Sequence, residues 1–129
     1  MTRYLLDTTA LIDFSKNREP ARSRILEMIS GGDELGVCAI NVAEFYTGVP
    51  PDKRPVWDEF ISSLRFWDIN RDTARQAGIY RYDFGRKGVV LSTTDTLVAA
   101  VASEHHAVVV TNNLKDYPMD DVELMALKD

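Results

Sequence analysis

The chain has 129 residues, of which 45% are hydrophobic and 27% are charged. These values fit one globular domain spanning residues 1–129. They exclude a disordered chain, and no apolar run approaches the roughly 20 residues that a membrane-spanning helix needs. The net charge of -5 argues against a broad basic surface for nucleic acid, but it is compatible with an acidic site that binds cations.

The cysteine content and the N-terminus bear on the cellular compartment. Cys38 is the single cysteine, which excludes an intramolecular disulfide and gives no support for a cysteine-based zinc site. Residues 1–7 lack the long apolar region of a secretory signal. We therefore expect a cytoplasmic protein that does not associate with a membrane, with Cys38 acting as a small buried apolar residue.

In the first half of the chain the hydrophobic pattern alternates between strands and helices. The predicted strands are residues 3–7 and 35–39. The predicted helices are residues 9–16 with Thr8 or Thr9 as the cap, a segment from Pro20 to the Gly31-Gly32 stop, and a segment capped by Asn41 that ends at Gly48.

The second half continues this alternation. Helices are predicted at 55–64, from Asn70 to about Lys87, and from Asp95 to His105 with Thr93 or Thr94 as the cap. Strands are predicted at 66–69, 107–110 and, as an edge strand, 122–125. The β-branched run at 107–110 is typical of a strand buried on both faces, so the sequence predicts an α/β fold with a parallel sheet.

Four acidic residues lie at places that a parallel sheet would bring together at its ligand-binding end, either after a strand or in the first turns of a helix. These residues are Asp7, Glu44, Asp95 and Asp116. Carboxylates that share one cleft repel each other unless cations compensate them, and such oxygen ligands suit Mg²⁺ or Mn²⁺, which can activate water for attack on a phosphodiester. The alternatives are a helix-dipole role for Asp95, a solvated position for Glu44 and a turn role for Asp116.

At four places these residues occur in segments that resemble the PIN-domain nucleases, and within them the VapC-like toxins. The segments are residues 4–12, 39–48, 95–100 and 109–117. The resemblance implies a three-layer α/β/α domain with a central, mainly parallel sheet, and an endoribonuclease that uses Mg²⁺ or Mn²⁺. It also implies a homodimer and a VapB-like antitoxin that blocks the cleft. Asp7, Glu44 and Asp95 match the acids of the family directly.

Two positions depart from the family pattern. Thr9 stands where the family often has Asn, and its hydroxyl can still orient a water or a neighbouring carboxylate. For the fourth acid, some members carry Asp at the place of Asn113 and others use the place of Asp116. The sequence leaves both residues as candidates for the fourth metal ligand.

Positive residues near the third acidic segment are candidates for binding RNA. Arg86 and Lys87 lie closest to Asp95 in sequence and are predicted to contact phosphates, although a solvated helix face explains them equally well. His105 and His106 are adjacent on a helix and so do not share a face, which argues against a zinc pair.

Three other kinds of protein share some of these sequence features. A haloacid-dehalogenase phosphatase needs a second Asp where Thr9 stands. A receiver domain needs an acid pair after its first strand, and this chain has none there. A catalytically silent PIN-like module that binds RNA or protein remains the alternative, but it gives no reason for Asp7, Glu44 and Asp95 to occur together.

Overall fold

A computed structural model describes residues 1–127 and contains a five-stranded sheet with helices on both faces. The strand order is β3-β2-β1-β4-β5, and every pairing among the described strands is parallel. The strands are β1 (Arg3–Leu6), β2 (Glu34–Val37), β3 (Arg65–Phe66), β4 (Val108–Val110) and β5 (Leu124–Met125). The predicted α/β fold with a parallel sheet is confirmed.

The helices alternate with the strands along the chain. They are α1 (Thr8–Ser15), α2 (Ala21–Ser30), α3 (Ala39–Tyr46), α4 (Arg54–Ser63), α5 (Arg71–Gly85) and α6 (Thr93–His105). Two 3₁₀ turns lie at Pro51–Lys53 and Leu114–Asp116. Across residues 1–127, no helix combines the length and apolar character that crossing a membrane requires.

The three layers follow from the alternation of side chains along β1 and β4. Leu5 pairs in register with Val109, and both contribute to a core that they share with α5 and α6. Leu6 pairs with Val110, and both contribute to a second core with α1, α2 and α3. Because neighbouring residues of a strand point to opposite faces, the apolar runs of these strands cover both sides of the sheet.

Three predicted helix caps are wrong by one to three residues: those of α3 and α6, and that of α1, which is described with the candidate active site. Helix α3 begins after Cys38, and the predicted cap Asn41 lies inside the helix, where its Oδ1 accepts the backbone N–H of Cys38 at 3.1 Å. Helix α6 is capped by Ser92 and not by residues 93–94. Ser, Thr and Asn all offer acceptors that suit a cap, so the sequence locates the helix start without choosing among neighbours. The predicted start of the helix at Asn70 is confirmed, since Asn70 is the cap of α5.

The strands β2 and β3 are shorter than predicted because the chain leaves the sheet to enter the next helix. The predicted segment 35–39 ends as a strand at Val37, and the predicted segment 66–69 pairs only through Phe66. Cys38 is fully buried, as expected. The ends of β1, β2 and β4 therefore lie side by side at one edge of the sheet, and Asp7 follows β1 directly.

Candidate active site

Asp7 occupies the turn between β1 and α1 and is 7% exposed. It is the N-cap of α1, and its Oδ1 accepts the backbone N–H of Thr8 at 2.7 Å. Its Oδ2 accepts the hydroxyl of Thr111 at 2.9 Å. The prediction that Thr8 or Thr9 caps this helix is wrong, because the aspartate that ends the strand is already extended and provides the acceptor itself.

The electrostatic environment of Asp7 opposes its ionisation. Burial raises the pKa of the Asp7 carboxyl, and the nearby charge of Glu44 raises it further. The hydrogen bonds from Thr8 and Thr111 act in the opposite direction but do not cancel the effect of burial on this pKa. A cation placed beside Asp7 would therefore be attracted to a charge that the protein alone compensates poorly.

Glu44 and Asp7 are linked through α1. Glu44 is exposed on α3, and its Oε1 accepts the hydroxyl of Thr8 at 2.7 Å. Thr9 points elsewhere: its hydroxyl accepts the backbone N–H of Asn112 at 3.4 Å. The contact with a carboxylate that was predicted for Thr9 is made by its neighbour Thr8. Thr9 instead contacts the loop after β4.

Asp95 and Asp116 complete the acidic group. Burial raises the pKa of the half-buried Asp95, and the charges of Asp116, Asp7 and Glu44 raise it further, in that order of size. The structure therefore brings the four predicted acids into one electrostatic cluster, which we call the acid cluster (Asp7, Glu44, Asp95 and Asp116). Asn113 lies on the exposed side of the same loop, and its backbone N–H donates to the hydroxyl of Thr111.

The acid cluster lacks a cationic side-chain partner within residues 1–127. The ion pairs between described residues join Arg3 to Glu34, Arg65 to Glu34 and Arg18 to Asp13. The predicted phosphate-binding residues also contact their own helix. Arg86 donates to the hydroxyl of Tyr82 at 3.0 Å, and the Lys87 ammonium lies 5.2 Å from the centre of the Phe84 ring.

The donor chemistry of the acid cluster fits a hard divalent cation. Its ligands are carboxylate oxygens, and the repulsion among them would be relieved by positive charge. Among the described residues, no three acidic, histidine or cysteine side chains lie close enough to share one ion as they stand. An ion at this place would have to be held by one or two of the carboxylates together with waters.

Two residues of the site were not predicted from the sequence. Thr111 is fully buried and bonded to Asp7, and Tyr117 is 2% exposed. The Tyr117 hydroxyl is buried beside Asp7, and burial together with the negative charges of Asp7 and Asp95 raises its pKa. The only local signal was that both residues belong to the segment after the buried strand.

Comparison with known proteins gives consistent matches over nearly the whole chain. A family profile described as the PIN domain matches residues 4–120. Ribonuclease VapC2 of Rickettsia felis is 27% identical over 120 residues, which cover 88% of this chain and 89% of the relative. The tRNA(fMet)-specific endonuclease VapC of Salmonella typhimurium is 30% identical over 123 residues, which cover 91% of each chain.

Solved structures give the same result for the fold. The crystal structure of VapBC2 from Rickettsia felis bound to a DNA fragment from their promoter superposes with a TM-score of 0.84 at 22% identity, covering 98% of this chain and 100% of that chain. The crystal structure of DNA-bound VapBC from Salmonella typhimurium superposes with a TM-score of 0.82 at 25% identity, covering 99% of this chain and 100% of that chain.

Proposed function

The chain belongs to the PIN-domain family, and on that premise we propose that it is an endoribonuclease. We propose that it cleaves RNA phosphodiester bonds with Mg²⁺ or Mn²⁺ and acts as the toxin of a toxin–antitoxin pair. The observation that carries the proposal is the acid cluster, which lies at the carboxyl end of the sheet without a cationic side-chain partner in residues 1–127. The relatives named ribonuclease and endonuclease support RNA as the substrate.

The acid cluster would hold the divalent ion directly or through the waters that Mg²⁺ retains. The chemistry that such an ion supplies is activation of a water and stabilisation of the negative charge on the phosphate. Thr111 and the N–H of Thr8 fix the two oxygens of Asp7, and the Thr8 hydroxyl orients Glu44. No side chain of the protein needs to act as a covalent nucleophile.

Asp116 is the better candidate for the fourth ligand. Its charge acts on Asp95 more strongly than that of either other member of the acid cluster. Asn113 is exposed, and its amide side chain would add no charge to compensate the ion. We therefore assign the fourth position to Asp116, with Asn113 as an alternative ligand.

The end of α5 is the proposed contact for RNA phosphates. Arg81 donates to the carbonyl of Leu91 at 3.0 Å and to the hydroxyl of Thr93 at 2.9 Å, which ties this end of α5 to the start of α6. Arg86 and Lys87 are exposed on the same turn, near the helix that carries Asp95. Positive side chains at this place would hold the phosphates that an acidic centre repels.

A VapB-like antitoxin is the proposed partner of this protein. Among the solved structures that share its fold, several are described as VapBC or toxin–antitoxin complexes. Glu44 and the surface of α3 around it are exposed, so a partner has direct access to the acid cluster. Adding the product of the neighbouring reading frame should inhibit cleavage at equimolar concentration; undiminished cleavage would contradict this assignment.

Purified, antitoxin-free protein is expected to cleave RNA only with a divalent ion. In buffer with Mg²⁺ or Mn²⁺, total RNA should yield defined fragments, whereas excess EDTA should reduce cleavage to background and re-addition of Mn²⁺ should restore it. Sequencing of the fragment ends would identify the cleaved RNA. Cleavage that persists in EDTA would refute the metal mechanism, and no cleavage of any RNA would favour the silent PIN-like module.

A homodimer is proposed from the apolar surface between α5 and α6. Val90 is 91% exposed and Tyr82 is 63% exposed, and a second copy that covers these side chains would remove their apolar surface from water. Light scattering should give twice the mass of the chain for the wild type. Val90→Lys should shift the protein to the monomer. Val56 is also exposed but lies on α4, so Val56→Lys should leave the dimer intact. A wild-type monomer would contradict the proposal.

A further inference from the structure

Asp13 is a buried carboxylate that the proposed chemistry does not use. It lies on α1, is 8% exposed and is not one of the four acids of the acid cluster. We infer that Asp13 is a positioning residue that acts through Asn112 to hold the loop after β4 against Asp7. This inference rests on the proposed nuclease function.

The two oxygens of Asp13 have different partners. Its Oδ1 accepts from Arg18 Nη1 at 3.0 Å, within an ion pair whose arginine side chain is 56% exposed. Its Oδ2 accepts from Asn112 Nδ2 at 2.8 Å. A buried carboxylate that is paired on one side and bonded to an amide on the other has a fixed orientation. The side chain of Asn112 is therefore anchored to α1.

The loop from Thr111 to Asn113 (the anchor loop) is attached to α1 at three successive points. The Thr111 hydroxyl donates to Asp7, the backbone N–H of Asn112 contacts the Thr9 hydroxyl, and the Asn112 side chain donates to Asp13. The contact with Thr9 is the longest of the three, at 3.4 Å. The bond to Asp13 is thus the main restraint beyond Thr111 itself.

The anchor loop leads directly to the turn that carries Asp116, a member of the acid cluster. Asp116 lies in the 3₁₀ turn that follows, and the backbone N–H of Asn113 donates to the same Thr111 hydroxyl that orients Asp7. If Asn112 is released, Thr111 loses part of the support that aims its hydroxyl at Asp7. The expected consequence is misplacement of the acid cluster, with little change in the surfaces that bind RNA.

The kinetic test is a double-mutant comparison of Asp13→Ala and Asn112→Ala. Each variant should lower kcat by about tenfold with KM nearly unchanged, and the double variant should lose no more than either single variant. Arg18→Ala is the matched control, because it removes the partner of the other Asp13 oxygen; it should change kcat by less than about twofold. Losses that multiply in the double variant, or an equal loss in Arg18→Ala, would overturn the inference.

A conservative variant separates positioning from general stability. Asn112 Oδ1 is buried and has no partner among the described residues. In Asp13→Asn, the new amide can donate to this oxygen once the Asn112 side chain turns over, so this variant should retain most of the kcat that Asp13→Ala loses. If the two variants lose the same activity at the same thermal stability, the anchor is not the Asn112 bond.

An activity-independent measurement keeps this inference distinct from the proposed function. In metal-free protein, the amide protons of Asn112 and Asn113 should exchange faster in Asp13→Ala than in the wild type, and not in Arg18→Ala, as followed by NMR. Unchanged exchange at both amides would refute the anchor. Failure of the wild type to cleave RNA would refute the nuclease while leaving this measurement valid.

Discussion

Asp7→Asn is expected to lower RNA cleavage by at least about a hundredfold while the protein stays folded. The variant removes one negative charge from the acid cluster, and the amide binds a divalent ion more weakly than a carboxylate does. The fold should persist because Asn is as good an N-cap as Asp, and its amide can still pair with Thr111. Single-turnover cleavage of a defined RNA, together with circular dichroism, measures both effects.

The matched control for this variant is Asp83→Asn, which removes a carboxylate from the exposed face of α5. It should cleave RNA at the wild-type rate. Adding Mg²⁺ should raise the thermal midpoint of the wild type and of Asp83→Asn, because the ion binds the folded state, but not that of Asp7→Asn. Full activity of Asp7→Asn would refute the proposed metal site.

The same variant should reveal a pH dependence of stability. Burial raises the pKa of Asp7 and of Asp95 in the folded protein above their unfolded values. The folded state then binds protons more tightly, so these two groups destabilise the fold at neutral pH and do so less as the pH falls through their folded pKa values. Without metal, Asp7→Asn should be more stable than the wild type at pH 7, and this advantage should shrink in acid.

Melting curves from pH 7 down to pH 4 in EDTA would check this expectation. Asp83→Asn again provides the reference, since an exposed carboxylate should give a difference from the wild type that hardly changes with pH. An advantage of Asp7→Asn that grows towards acid pH would contradict the assigned direction of the Asp7 pKa.

The sequence predicted the parts of this site that depend on where each strand and helix begins and ends. The alternation of strands and helices, and the β-branched run that became β4, located the edge of the sheet where Asp7 and Asp116 lie. These signals are local because a strand buried on both faces requires consecutive apolar side chains. The same pattern had placed Glu44 and Asp95 among the four candidate acids, and the family resemblance then matched both of them directly.

The contacts that orient the site were not predictable in this way. Thr111 and Asp7 are 104 residues apart in sequence, and Asn112 and Asp13 are 99 apart. Neither pair leaves a periodic signal, and a hydroxyl or an amide is equally common on a surface. Burial of Asp13 becomes evident only when the loop after β4 is packed against α1.

The aromatic residues show the same limit. Composition does not say whether an aromatic residue is buried or exposed, and these residues divide between the two environments. Trp57 and Phe60 pack against Phe14 on α1, whereas Phe66 is 54% exposed and the adjacent Trp67 is 6% exposed. Adjacent residues at the end of a strand point to opposite faces, so composition alone does not assign them.

Gly36→Ala is expected to lower the free energy of unfolding by about 3 kcal/mol, although it adds a single methyl group. A Cβ at Gly36 would lie 2.5 Å from the Trp67 ring, too close for any real contact. The ring has little freedom to move. It stacks on His105 with centroids 4.8 Å apart, and the backbone N–H of Trp67 donates to Val37 at 2.9 Å. Urea unfolding measures the loss.

Gly78→Ala is the matched control for the contact with Trp67. Gly78 lies inside α5, and an added Cβ would meet nothing within 4 Å, so alanine should stabilise the protein by about 0.5–1 kcal/mol through its helix propensity. A similar loss at both glycines would mean that the ring contact is not the cause. Trp67 packs in the core that the sheet shares with α5 and α6, away from the acid cluster. The Gly36→Ala protein that remains folded should therefore cleave RNA at nearly the wild-type rate. The packing of β2 and the chemistry at its end would then be separable properties.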